Sequence, residues 1–141
     1  EAVIIDPRPS WSYGQGHILG AINIPFGQLN SRAWKLEEAG VIVVAGEKGI
    51  DPSSGKIIEG GIEAETRQTF ENIKGILESA GASLDDVVAS SVFMTNLKEF
   101  DQMNGIYAKY LNNNPPGRTT VEVSALPAGA HIEITVTAYI E

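Results

Sequence analysis

Arg118 opens the run Gly117-Arg118-Thr119-Thr120-Val121-Glu122-Val123, and Glu133 interrupts the run Ile132-Glu133-Ile134 after the turn-like Leu126-Pro127-Ala128-Gly129. Both runs alternate in the two-residue period of a strand, so each presents one polar and one apolar face. A guanidinium is planar and can grip a carboxylate through two parallel hydrogen bonds. An arginine and a glutamate set in an otherwise apolar and threonine-rich hairpin point to a site for a small carboxylate. The plainer alternative is a salt bridge between Arg118 and Glu122, with Glu133 as a hydrogen-bonded structural carboxylate between subunits.

Other chemistries are narrowed by composition. The 141 residues contain no cysteine, which removes disulfides, thiolate metal sites and a cysteine nucleophile. The two histidines, His17 and His131, are too few and too far apart to suggest a zinc site, so neither metal nor cofactor is expected. A net charge of −8 and a pI near 4.7 argue against nucleic acid as the main partner, because phosphate binding needs a basic footprint. Lysine and arginine form no runs, and no apolar stretch has the length of a membrane span. A cytoplasmic protein, or one of an organelle matrix, is the expectation, with no membrane partner. The length fits one domain, residues 1–141.

The elements that must position these residues follow from periodicity. Residues 2–5 read as a short strand, and 17–26 as a strand or loop. Residues 28–39 read as a helix ended by Gly40. Residues 41–45 form a continuous apolar strand, expected centrally in a sheet. Residues 62–80 form the strongest helical pattern, with Ile62, Phe70, Ile73, Leu77 and Ala80 on one stripe, Ile76 beside it, and Gly81 as its stop. Residues 87–95 are a strand. Asn96 is expected to cap a second helix, with Glu99 as its capping-box partner and Phe100, Met103, Tyr107, Tyr110 and Leu111 as its apolar stripe. Residues 119–123 and 131–140 are the last two strands. The order after residue 40 predicts an α+β fold with two helices packed on one face of a sheet. On the last strand, Ile132, Ile134, Val136, Ala138 and Ile140 should meet the helices. Glu133, Thr135, Thr137 and Tyr139 face the other way, onto a semi-polar surface expected to meet water or another subunit.

From about residue 41 to the end the chain resembles the RidA/YjgF family. The matching pieces include Gly46-x-x-Gly49-Ile50-Asp51-Pro52-x-x-Gly55, Thr66-Arg67-Gln68-Thr69-x-x-Asn72-Ile73 and Asn104-x-x-Tyr107. Ser83-Leu84-Asp85-Asp86-Val87-Val88 and Pro116-Gly117-Arg118-Thr119-Thr120-Val121-Glu122-Val123 also match, as does Leu126-Pro127-x-Gly129-Ala130-x-Ile132-Glu133-Ile134. The resemblance implies a chorismate-mutase-like α+β fold, a homotrimer with sites in the clefts between subunits, and cofactor-free hydrolysis of enamines and imines such as 2-aminoacrylate to a 2-keto acid and ammonia. Within it, Arg118 would hold the substrate carboxylate. Glu133 would position or deprotonate the attacking water. Asn104 would hold substrate or water, unless it only bonds its neighbours on the helix surface. Thr120 would line the pocket.

The first 40 residues depart from that family. Val3-Ile4-Ile5-Asp6-Pro7-Arg8-Pro9 and Tyr13-x-x-Gly16-His17-Ile18-x-Gly20-Ala21-Ile22-Asn23-Ile24-Pro25 resemble the opening of a rhodanese domain, yet a persulfide has no cysteine to form on. The segment reads as a hybrid N-terminus that supplies the family's first hairpin, with Tyr13 a substitute for the missing family tyrosine and His17 structural. Ala45 replaces the usual serine, and Glu47 the usual glutamine; both bear on catalytic efficiency. Two further functions stay open: a non-catalytic trimer that binds small 2-keto acids, and an endoribonuclease or translation inhibitor.

Overall fold

The computed structural model describes residues 40–140 together with the strands at 2–6 and 22–23. In chain order the regular elements are β1 (Ala2–Asp6), β2 (Ile22–Asn23), β3 (Val41–Glu47), α1 (Gly61–Ser79), β4 (Val87–Met94), α2 (Phe100–Tyr110), β5 (Gly117–Glu122) and β6 (Ile132–Tyr139). The strands form one sheet in the order β2-β1-β3-β6-β4-β5. β6 runs antiparallel to β3 and β4, whereas β5 runs parallel to β4, and β1 is parallel to both β2 and β3.

The core is the interface between this sheet and the two helices. Ile132, Ile134, Val136 and Ala138 of β6 are fully buried, as are Ile42 and Val44 of β3 and Val92 and Met94 of β4. They meet the α1 stripe of Ile62, Phe70, Ile73, Ile76, Leu77 and Ala80, all buried as the 3.6-residue period requires. α2 adds Met103, Tyr107 and Leu111. Phe70 joins the helices: its ring stacks on Tyr110 at 4.9 Å and meets Tyr107 edge-on at 5.4 Å. Gly81, at φ 78°, ends α1 in a Schellman motif, with its N–H donating to the Glu78 carbonyl and the Ala82 N–H to that of Leu77. Asn96 caps the short turn Leu97–Glu99 ahead of α2 by accepting from the Lys98 N–H at 3.1 Å. Glu99 bonds the Asn96 side chain rather than its backbone.

Two expected pairings are not formed. β5 and β6 do not make a hairpin, because β4 lies between them. The helical crossover through α2 lays β5 parallel beside β4, and the turn at 127–129 carries the chain over to β4's other edge. Among the described residues of the N-terminal segment, β1 and β2 pair parallel and so are not the two strands of the expected hairpin. The helix expected at 28–39, Tyr13 and His17 lie outside the described residues.

The start of β6 is tied to α1 by a buried carboxylate. Glu65, 1% exposed, accepts the His131 backbone N–H at 2.8 Å through one oxygen and meets His131 Nδ1 with the other. The hydrogen bond to Glu65, then its charge, raises the His131 pKa above the usual 6.5. A raised folded-state pKa gives stability that is complete below 6.5 and is lost as pH climbs through the folded value. The gap in Tm between wild type and His131→Gln should therefore be wider at about pH 6 than at about pH 9 in thermal melts. A gap of one size at both pH values would remove the charge of His131 from the fold's stability.

Candidate active site

Arg118 lies on the helix side of the sheet. In register it faces Ser90 of β4, and Ser90 faces Val136, which is buried against the helices. Its guanidinium sits 4.4 Å above the Tyr107 ring and 5.4 Å from that of Phe100, and its Nη1 donates to Asn104 Oδ1 at 2.7 Å. Asn104 and Tyr107 are three residues apart on α2, so one helix face offers both the acceptor and the ring. The Tyr107 hydroxyl is anchored in turn to Ser90 Oγ at 2.7 Å, both groups being buried. The guanidinium is thus fixed in plane and solvent-exposed, and among the described residues no carboxylate pairs with it. The expected alternative partner, Glu122, accepts the Leu97 N–H at 2.7 Å instead. Thr120 follows on the same face, half-buried, and its Oγ1 is buried without a hydrogen-bond partner among the described residues.

Glu133 lies on the opposite side. It pairs in register with Phe93, which pairs with Val121, and all three project from the face the helices leave bare. β3 carries a bulge there between Val44 and Glu47, where Gly46 adopts φ 67°, a conformation that favours glycine. The Gly46 N–H turns to Thr135 Oγ1 at 3.0 Å, and the Glu133 carboxylate lies against the space a Gly46 side chain would take. Lys48 Nζ donates to Glu133 Oε2 at 3.0 Å and to the Gly46 carbonyl at 2.6 Å.

The loop bearing Lys48 is held from beneath. The Asn72 amide, buried on α1, donates to the carbonyls of Lys48 and Ile50 at 3.0 and 2.9 Å, and Gln68 Nε2 fixes the amide's orientation by donating to its oxygen. Gly49 lets the loop touch α1: a Cβ there would stand 2.8 Å from the Glu65 backbone. Ala45 faces the bare side half-buried, and Glu47 is buried.

Of the residues expected in the site, Arg118, Asn104 and Thr120 come together, Glu133 stands across the sheet from them, and Tyr13 is outside the described residues. Sequence reasoning missed Tyr107 and Ser90 as the seat of the arginine, and Lys48 as the partner of Glu133. The available signals were Tyr107 three residues after Asn104, and a buried amide, Asn72, beside the apolar stripe of α1. The Ser90–Tyr107 bond can be tested by a double-mutant cycle. Ser90→Ala and Tyr107→Phe each strand one buried hydroxyl and should each cost about 1–2 kcal/mol in urea unfolding, while the double variant should cost clearly less than their sum. Strict additivity would mean the two hydroxyls do not interact.

The endoribonuclease L-PSP family model matches residues 26–140. A RutC family protein of Saccharolobus solfataricus is 46% identical over 132 residues, 94% of this chain and 90% of that protein. The human 2-iminobutanoate/2-iminopropanoate deaminase is 38% identical over 97 residues, 69% of this chain and 71% of that enzyme. The crystal structure of E. coli TdcF with bound serine superposes with a TM-score of 0.70 at 27% identity, covering 74% of this chain and 84% of that one. The chain therefore belongs to the endoribonuclease L-PSP family, the RidA/YjgF family of the sequence resemblance.

Proposed function

We propose that this chain is an enamine/imine deaminase that hydrolyses 2-aminoacrylate-type intermediates to 2-keto acids and ammonia, at sites formed between the subunits of a homotrimer. The observation that carries this reading is Arg118: an exposed guanidinium, pre-set on Tyr107 and Asn104, without a carboxylate partner among the described residues. Such a group suits a planar substrate carboxylate, and its orientation is fixed before the ligand arrives. The naming of the human relative as an imine deaminase, and the serine bound to TdcF, itself a small carboxylate, support the same substrate class.

The sheet supports a site shared between subunits. A molecule of a few atoms cannot touch Arg118 on one face and Glu133 on the other. A second copy, bringing its bare face to the first copy's β5 edge, would place one subunit's Glu133 near the other's Arg118. Val88, Val121 and Tyr139 are 52%, 38% and 51% exposed, an apolar content that suits burial against another copy. In the cleft, Arg118 holds the carboxylate and Asn104 braces it. Water adds to the imine carbon, the C=N π pair moves to nitrogen, and the water's proton passes to Glu133. That proton then goes to nitrogen, giving a carbinolamine. Glu133 next takes the hydroxyl proton and passes it to nitrogen, so the C–N bond breaks as the C=O bond forms and ammonia leaves behind a 2-keto acid. The enamine enters the sequence by taking a proton at its terminal carbon and giving one up from nitrogen to become the imine.

The family description favours an endoribonuclease as the second reading. The charge of −8 opposes it, and steep salt-dependent RNA binding with cleavage would be its sign. A trimer that binds 2-keto acids without turnover is the remaining alternative, and Ala45 favours it.

Light scattering should give a particle near three times the 15.1 kDa chain mass. Arg118→Ala and Arg118→Lys should keep that mass and lower kcat/KM on freshly generated 2-aminoacrylate by roughly 100-fold, about 3 kcal/mol of transition-state binding. Near wild-type turnover by Arg118→Ala would put the carboxylate anchor elsewhere, and loss of the trimer would make the arginine structural.

A further inference from the structure

Glu133 is not symmetrically placed. Its Oε2 is taken by Lys48, whereas Oε1 has no hydrogen-bond partner among the described residues. Lys48 is itself restrained at both ends. Its carbonyl receives the Asn72 amide and the Ile50 N–H, at 3.0 and 2.7 Å, and its ammonium bridges Oε2 and the Gly46 carbonyl. The two side chains are only 15% and 20% exposed, so the pair is less screened than a surface salt bridge. The bulge at Gly46 turns that carbonyl toward the ammonium, and glycine leaves room for the carboxylate above it.

We propose that Lys48 is a positioning residue for Glu133: it pins Oε2 and leaves Oε1 as the oxygen that takes the proton of the attacking water. This rests on the deaminase reading of Glu133 given above. A carboxylate free to rotate would present either oxygen at varying distance, whereas one held at Oε2 and packed over Gly46 presents Oε1 in one direction, toward the bare face where the second subunit is proposed to dock. Lys48 does not touch the substrate in this arrangement. Its removal should slow the proton-transfer step and leave binding of the substrate carboxylate to Arg118 unaltered.

The test is a set of variants assayed as the assembled protein on 2-aminoacrylate: Lys48→Met, Lys48→Gln, Lys48→Arg, Glu133→Gln and the Lys48→Met/Glu133→Gln double. Lys48→Met and Lys48→Gln should each lower kcat about tenfold with KM within about twofold, less than the loss of the base itself in Glu133→Gln. Lys48→Arg should recover most of the rate, and the double variant should be no slower than Glu133→Gln alone, since a held group has no role once its carboxylate is gone. Wild-type kcat in both Lys48→Met and Lys48→Gln, with Glu133→Gln slow, would overturn the role of Lys48 and leave the deaminase reading standing. So would equal rises in KM and falls in kcat, or a double variant slower by the product of the single effects. Undiminished kcat in Glu133→Gln, or no turnover by wild type, would overturn the reading of Glu133 and the role of Lys48 with it.

Discussion

A strand sends successive side chains to opposite faces of its sheet, and β4 imposes that alternation on both of its neighbours at once. Ser90, Val92 and Met94 set one face; Ser91 and Phe93 set the other. Through β5 the first set fixes Arg118 and Thr120 among the helices. Through β6 the second fixes Glu133 on the bare side. A slip of one residue in either pairing would bury Glu133 or Thr119 against α1 and α2 and turn Ile134 or Thr120 outward. The buried row of Ile132, Ile134, Val136 and Ala138 makes such a slip very costly, so the core that holds the fold also divides its two charged groups.

Each face then holds its charged group with its own set of partners. On the helix side, the ring and amide of one helix face hold the guanidinium, and a buried hydroxyl on β4 holds the ring. On the bare side, a bulge, a lysine and an amide reaching up from α1 hold the carboxylate. α1 contributes to both sides of the molecule: Phe70 packs against the Tyr107 that seats Arg118, and Asn72 clamps the loop that carries Lys48. The helix is thus the common support of the Arg118 and Glu133 groups, which lie on opposite faces of the sheet.

Much of this was legible in the residues. The two-residue period of β6 assigned Ile134 and Glu133 to opposite faces, and the 3.6-residue period of α1 named its buried stripe correctly, because period follows directly from backbone geometry. Which strands are neighbours was not legible. Alternation is the same beside any partner, and the short link from Glu122 to Ile132 suggested a hairpin where the α2 crossover had already committed β4's edge to β5. Asn104, Arg118 and Thr120 could be grouped from sequence, but the seat of the arginine could not, since Tyr107 reads as an apolar stripe residue whether or not a cation lies above it. Lys48 carried no signal: a lysine between two glycines in a loop has no period, and its contact with Glu133 depends on a bulge whose partner is more than 80 residues away.

The proposed division of the site between two chains of a trimer is tested most directly by mixing two inactive proteins. Arg118→Ala and Glu133→Gln chains, unfolded together and refolded, would assemble into mixed trimers in which one cleft holds the intact arginine of one chain and the intact glutamate of the other. A shared site predicts that deaminase activity reappears on mixing, approaching about a quarter of the wild-type rate for random assembly of equal amounts. Mixed trimers confirmed by native mass spectrometry but still inactive would contradict it, and would mean that both residues serve the same subunit or that one of them is not part of the site.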